Sequence, residues 1–177
     1  MVRATRLPTR GIGVLLMLVA AWGGIVAFVG PTFDFDMGST TRAWVWNESH
    51  ATLYFAPALV GVLGGLLMLV GPWMLQRTGA LLAMTSGVWF LIGPTLEPLW
   101  HDGGPTAGSV GSSGGTLHRV LEGIGYHYGT GAVMVMLSAF ALGLLALAPV
   151  AVARTAPATP AERQPRRRPS FRHPRHA

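Results

Sequence analysis

The sequence predicts an all-α membrane protein with four transmembrane helices, arranged as two tandem helical hairpins that enter the membrane in the same sense. Three observations carry this. Half of the 177 residues are hydrophobic and only 11% are charged, where a soluble domain carries about a quarter. Uncharged apolar runs long enough to cross a bilayer recur along the chain. The third observation is a stretch that occurs twice, as Gly24-Ile-Val-Ala-Phe-Val-Gly-Pro-Thr-Phe-Asp-Phe35 and Gly87-Val-Trp-Phe-Leu-Ile-Gly-Pro-Thr-Leu-Glu-Pro98. At an offset of 63 residues Gly30, Pro31 and Thr32 fall on Gly93, Pro94 and Thr95, and Asp34 falls on Glu97.

The elements follow in order. Residues 1–10 carry Arg3, Arg6 and Arg10 and read as a basic cytoplasmic N-terminus. Residues 11–30 are uncharged, and about 20 helical residues cross a hydrocarbon core. Val19-Ala20-Ala21 also offers a signal-peptide cleavage site, but the apolar run continues past it and its end recurs inside the chain. The segment therefore reads as a retained first span. The loop 31–51 holds Asp34, Asp36, Arg42 and Glu48 among Phe33, Phe35, Trp44 and Trp46, the composition of an interfacial aromatic belt. The second span covers about 52–75, with Pro57 bending or capping its first turn. Gln76-Arg77-Thr78 reads as a tight turn, and 79–99 as the third span. Residues 103–115 have the Gly/Ser composition of a linker. Thr116 is a candidate cap for a helix that runs into the fourth span, about 128–152. The transmembrane domain thus covers 11–153, and the Pro/Arg-rich residues 154–177 read as a disordered cytoplasmic tail.

Charge sets the expected orientation. There is no lysine, and eleven of the thirteen arginines lie in the N-terminus, the 76–78 turn and the tail. The tail alone holds seven arginines against Glu162, which accounts for the whole net charge of +6. By the positive-inside rule both termini face the cytoplasm and both long loops face outward. The basic tail is expected to meet anionic lipid headgroups and not nucleic acid. The absence of cysteine excludes disulfides, thiolate metal sites, cysteine nucleophiles and haem attached through Cys-x-x-Cys-His.

Beyond the first loop the repeat continues at an offset of 74, pairing Tyr54 with Tyr128 and Glu48 with Glu122; the linker at 103–115 is about the size of the added length. Small-xxx-small pairs lie in every span: Ala20 and Gly24, Gly61 and Gly65, Ala83 and Gly87, Ala139 and Gly143. Such pairs let helix backbones approach closely. A two-helix repeat whose first helix closes on a proline motif resembles the SPW-repeat family of small bacterial membrane proteins, over about residues 11–150. Gly-Pro-Thr stands in both copies where that family has Ser-Pro-Trp. The resemblance implies the four-helix architecture and a bacterial plasma membrane; it implies no activity.

The polar residues gather on the outer side: Glu48, His50, Glu97, His101, Asp102, His118, Glu122 and His127. His50 and His127 are the candidates for ligating haem or a divalent metal. His118 and Glu122, at i and i+4, share a helix face and are candidate metal ligands. Against this, no His-x-x-x-His or His-Glu-x-x-His pair is present, and a histidine at the water boundary needs no partner. Glu48 and Glu122 precede spans 2 and 4, where capping and the helix dipole account for them; Glu97 lies near its helix exit, where solvent contact accounts for it. Trp22 and Trp89 fit packing, or contact with lipid or a quinone. No cofactor is expected. The sequence points to a non-catalytic scaffold or modulator of a membrane complex, with a homo-oligomer or another membrane protein as partner. A haem- or metal-binding redox protein is the alternative, and a transporter or channel subunit a weaker one.

Overall fold

The computed structural model describes residues 3–33, 35, 43–100 and 115–155. Among them every regular element is helical: α1 (Arg3–Val29), α2 (Ala56–Val70), α3 (Trp73–Leu96), α4 (Thr116–Gly123) and α5 (Gly129–Thr155). Short 3₁₀ turns close α1 and α3, and a π-helical turn leads into each of α2 and α5. Four helical stretches are long and apolar enough to cross a membrane: Pro8–Phe33, His50–Val70, Trp73–Leu99 and Thr116–Leu147. Each helix packs on two neighbours, in the circular order α1, α2, α3, α5. The chain is thus two antiparallel hairpins, α1–α2 and α3–α5, side by side. One end of the bundle carries the α2–α3 turn; the other, the loop end, carries the two long connections.

The first turn falls at Gly71-Pro72, not at Gln76-Arg77-Thr78, which is helical in α3. Gly71 and Pro72 are both extended, with ψ of 156° and 170°. A proline lacks the N–H that helix continuation needs and pushes the residue before it out of the helical region, so α2 must end there. Gln76 is then free to lock the turn. Its amide donates to Gly71 O at 3.2 Å, and Thr9 Oγ1 donates to its Oε1 at 3.4 Å. Arg77 stacks over Trp73 at 4.7 Å, and Trp73 donates to Leu145 O at 3.1 Å.

The repeated motif behaves differently in its two copies. Gly30-Pro31-Thr32 forms the 3₁₀ turn that ends α1, and Thr32 Oγ1 donates back to Val29 O at 2.6 Å. Gly93-Pro94-Thr95 stays inside α3, which runs on to Leu96 before its own 3₁₀ turn at Glu97–Leu99. Pro94 therefore does not terminate its helix. Like any proline past the first turn, it has no N–H to give the carbonyl four residues back, Phe90 O.

Glycines set how closely the helices approach. A Cβ on Gly24 would meet Ala58 at 2.5 Å, and one on Gly61 would meet Ala20 at 2.7 Å; Gly65 and Gly13 lie against each other's backbone. Gly64 sits on Gly79 and Ala83, and Gly87 on Met134 and Gly131. Six of the eight small residues expected at contacts are therefore at contacts, between α1 and α2, α2 and α3, or α3 and α5. Ala139 and Gly143 are not. Both are exposed, and nothing lies within 4 Å of a Cβ on Gly143. The inward face of α5 instead carries Gly131, Met134, Ser138, Ala141 and Leu145, a stripe offset by a residue or two from the small pair.

The π turns have a local cause and a shared use. Pro57 cannot donate to the carbonyl five residues back, Thr52 O, and Trp89 of α3 supplies that donor through its indole N–H at 3.0 Å. Ser86, also on α3, donates to Pro57 O at 2.6 Å. In the other hairpin Gly125 O accepts from Trp22 of α1 at 3.2 Å and from Thr130 Oγ1 at 3.0 Å. Each hairpin thus lends a tryptophan to the π turn of the other. Backbone carbonyls in a bilayer have no water to satisfy them, so these two indoles join the hairpins where the ladder is irregular.

Candidate functional site

The second span does not open on Glu48. Asn47 accepts the backbone N–H of His50 on its Oδ1 at 2.7 Å, the geometry of a side-chain N-cap, and Glu48 is exposed in the first turn. Its repeat counterpart Glu122 lies inside α4 and is fully buried. Neither acid is a side-chain cap; Glu48 keeps the exposed first-turn position that the helix dipole favours, whereas the buried Glu122 does not. The helix of Glu122 starts at Thr116, with Gly115 as its cap residue and no side-chain cap bond.

What the loop end does assemble is a buried cluster of acids, imidazoles and tyrosines. Glu97 has no exposed surface and accepts a hydrogen bond from Ser49 Oγ, so burial against the α2 entry holds it, not solvent. Tyr54 OH and His127 Nε2 are 2.9 Å apart, with rings 5.0 Å apart. Tyr126 OH donates to Phe35 O, and the two rings stack at 5.2 Å. Gly30 is required there: a Cβ at that position would collide with both Tyr126 OH and Phe35 O. His118 Nε2 approaches Glu122 Oε1 at 3.3 Å, an ion pair only when the imidazole is protonated.

Three buried atoms of the cluster make no hydrogen bond among the described residues: Nδ1 of His127 and the two carboxylate oxygens of Glu122, whose Oε1 has only the 3.3 Å approach of His118. A buried polar group without a partner costs about 1–3 kcal/mol, and ionisable groups inside membrane segments mark functional positions more often than packing.

The two imidazoles expected to sit bare at the water boundary are buried and engaged. His50 Nδ1 lies 2.6 Å from Val45 O, which can only accept, so that nitrogen carries the proton. Tyr54 touches both rings, at 5.8 Å from His50 and 5.0 Å from His127. A haem iron or metal shared by His50 and His127 would need that tyrosine displaced. Among the described residues no three His, Asp or Glu side chains converge as a metal-binding group. The proposed pair His118 and Glu122 does meet, on one face of α4. Arg154 and Thr155, read as the start of the tail, are helical in α5, whereas His101, Asp102, Asp34, the Gly/Ser stretch before residue 115 and the tail from 156 onward lie outside the described residues.

Ser49, Tyr54 and Tyr126 are members of the cluster that the sequence reading did not select. Their signal was spacing: His50 with Tyr54 and Glu122 with Tyr126 stand at i and i+4, one face of a helix. Trp22 and Trp89 turn out to be hydrogen-bond donors between hairpins, which is packing with a polar purpose.

No protein-family model, curated protein or solved structure matches the chain. Fold and site nevertheless define a class: a multi-pass membrane protein of four apolar helices in two tandem hairpins, with His50, Glu97, Glu122 and His127 buried at one end.

Proposed function

We propose that this protein is a small non-catalytic module of the bacterial plasma membrane that scaffolds or modulates a membrane complex. One observation carries the reading. Polar side chains of the helices are largely spent on joining helices, as with Trp22, Trp89, Ser86, Gln76 and Thr9, while α5 keeps an uncovered face. Met136 and Phe140 are exposed there beside Ala139 and Gly143. Small residues flanked by large apolar ones suit the close approach of another transmembrane helix. The arginine distribution supports cytoplasmic termini and an outward-facing loop end. Two features support an origin by duplication of one hairpin. The π turns start at positions 50 and 124, 74 residues apart, and the indole bonds run reciprocally. The same architecture supports the likeness to SPW-repeat proteins. The test is a photoreactive amino acid placed at Met136 or Phe140, with exposed Leu18 on α1 as control. The expected result is a protein adduct of discrete mass from the α5 positions alone. Lipid adducts from all three would overturn the reading.

A second reading is favoured by the buried carboxylate of Glu122, which faces His118 at 3.3 Å, and by the Nδ1 of His127, which makes no hydrogen bond among the described residues. Buried imidazole and carboxylate groups are the donors a metal or haem would take at the outer side. Purified protein that shows a Soret band, or bound metal by elemental analysis, would support it; loss of that signal in Glu122→Gln would locate it. Protein with neither would remove it.

A further inference from the structure

The loop end carries a feature on its lipid-facing side that the buried cluster does not use. A groove of about 480 Å³ runs between α1 and α2, within the range of small-molecule sites. Its floor is made of small residues, Gly24 and Ala58, which bring the two helices together. Phe28, Phe55, Trp44 and Trp46 also line the groove. These two tryptophans are 73% and 62% exposed. They are held in place: Phe28 stacks on both rings at 6.3 and 5.7 Å, and Trp46 meets Phe55 edge-on at 5.3 Å.

The backbone adds an independent sign. Trp44 has a φ of 62°, the one positive value at a non-glycine residue among those described, a conformation that a bulky side chain adopts only under strain. Its N–H donates to Phe28 O at 3.0 Å, which pins the strained residue to the last turn of α1. Strain of this kind persists where surroundings over-determine it, and it clusters at ligand clamps.

We infer that this groove holds one hydrocarbon chain of a membrane lipid, with the two tryptophans marking the level of its headgroup. The position fixes the chemistry. From the end of α1 the groove descends along Phe28, Ile25, Gly24 and Ala21, about 12 Å at the helical rise, within a segment that spans the bilayer. No water-soluble ligand reaches that depth. A transmembrane helix is about 10–12 Å across and would have to displace the tryptophans that line the groove and are held by Phe28 and Phe55. A single chain fits along them, and tryptophan belongs at the interface where the headgroup begins.

The test uses the full chain in vesicles of phosphatidylcholine with a photoreactive diazirine on one acyl chain, and adducts are mapped by mass spectrometry. The expected result is labelling of Leu59 and Ile25 several-fold above Met136 and Phe140, which are as exposed but lie on α5. Ala21→Phe, which fills the floor, is expected to abolish the excess. Leu59→Trp, at an exposed position that folding tolerates, is the second variant and is expected to reduce labelling at Ile25. Equal labelling of all lipid-facing positions, an excess unchanged in both variants, or capture of a second copy of the chain in the groove would each overturn the inference.

Discussion

Tyr54 is the residue on which the loop-end cluster turns. Its hydroxyl is the partner of His127 Nε2, and its ring fills the space between His127 and His50. His127 already has an unpartnered Nδ1, so Tyr54→Phe leaves the whole imidazole without a hydrogen bond. The expected cost is about 1–3 kcal/mol, because a buried donor or acceptor then lacks both water and partner. Adding His127→Leu removes the orphan as well, and the double variant is expected to be more stable than Tyr54→Phe alone. Thermal unfolding in detergent reads both, and a double variant less stable than the single would contradict the assignment. The sequence contained this cluster only in part. Glu97, Glu122 and His127 are conspicuous as ionisable residues in apolar surroundings. Their burial was not legible, since a residue one turn inside a helix exit is wet or dry according to what folds over it. Here Ser49, before α2, closes on Glu97, and Phe35 packs on Tyr126 and His118.

At the scale of elements, composition and helical spacing give the four spans, and the physical reason is the same in each: an uncharged run long enough to satisfy its own backbone. Boundaries were harder. The run through residues 52–75 is apolar on both sides of Gly71-Pro72, so hydropathy does not see the turn that proline chemistry enforces. Small-residue spacing finds the contacts of α1, α2 and α3 and misses that of α5, because Ala and Gly are frequent on both of its faces. Two substitutions separate packed from open glycine. Gly87→Ala places a methyl against Met134 and the Gly131 carbonyl, at 2.8 and 3.0 Å, and is expected to destabilise by about 1–3 kcal/mol. Gly143→Ala meets nothing and is expected to stabilise by about 0.5–1 kcal/mol through helix propensity. Thermal midpoints moving in the same direction would refute the packing described. A third test concerns the π turn. Trp89→Phe strands Thr52 O, at about 1–3 kcal/mol. Pro57→Ala in the same chain returns an N–H to that turn, so the pair is expected to recover part of the loss.

The whole molecule is organised by an asymmetry between its ends. The turn end is closed by Gly71-Pro72 and fastened by Gln76, Thr9 and Trp73. The loop end gathers the buried acids and imidazoles, the π turns and the aromatic groove. That division was visible in the sequence as a segregation of arginines from acids, because lipid permits charge only near the ends of spans. How the hairpins join was not visible. It depends on two indole-to-carbonyl bonds between residues 37 and 103 positions apart, a pairing that no local pattern encodes. The central claim is that the four helices alternate across one membrane, placing both long connections on one side. The chain has no cysteine, so single cysteines report cleanly on sidedness. The direct measurement is labelling of Ser39→Cys, Ser112→Cys, Met74→Cys and Ser170→Cys in intact cells with a membrane-impermeant maleimide. The account expects Ser39→Cys and Ser112→Cys to label in intact cells, and the other two only after lysis. Labelling of Ser39→Cys and Ser112→Cys from opposite sides would contradict it.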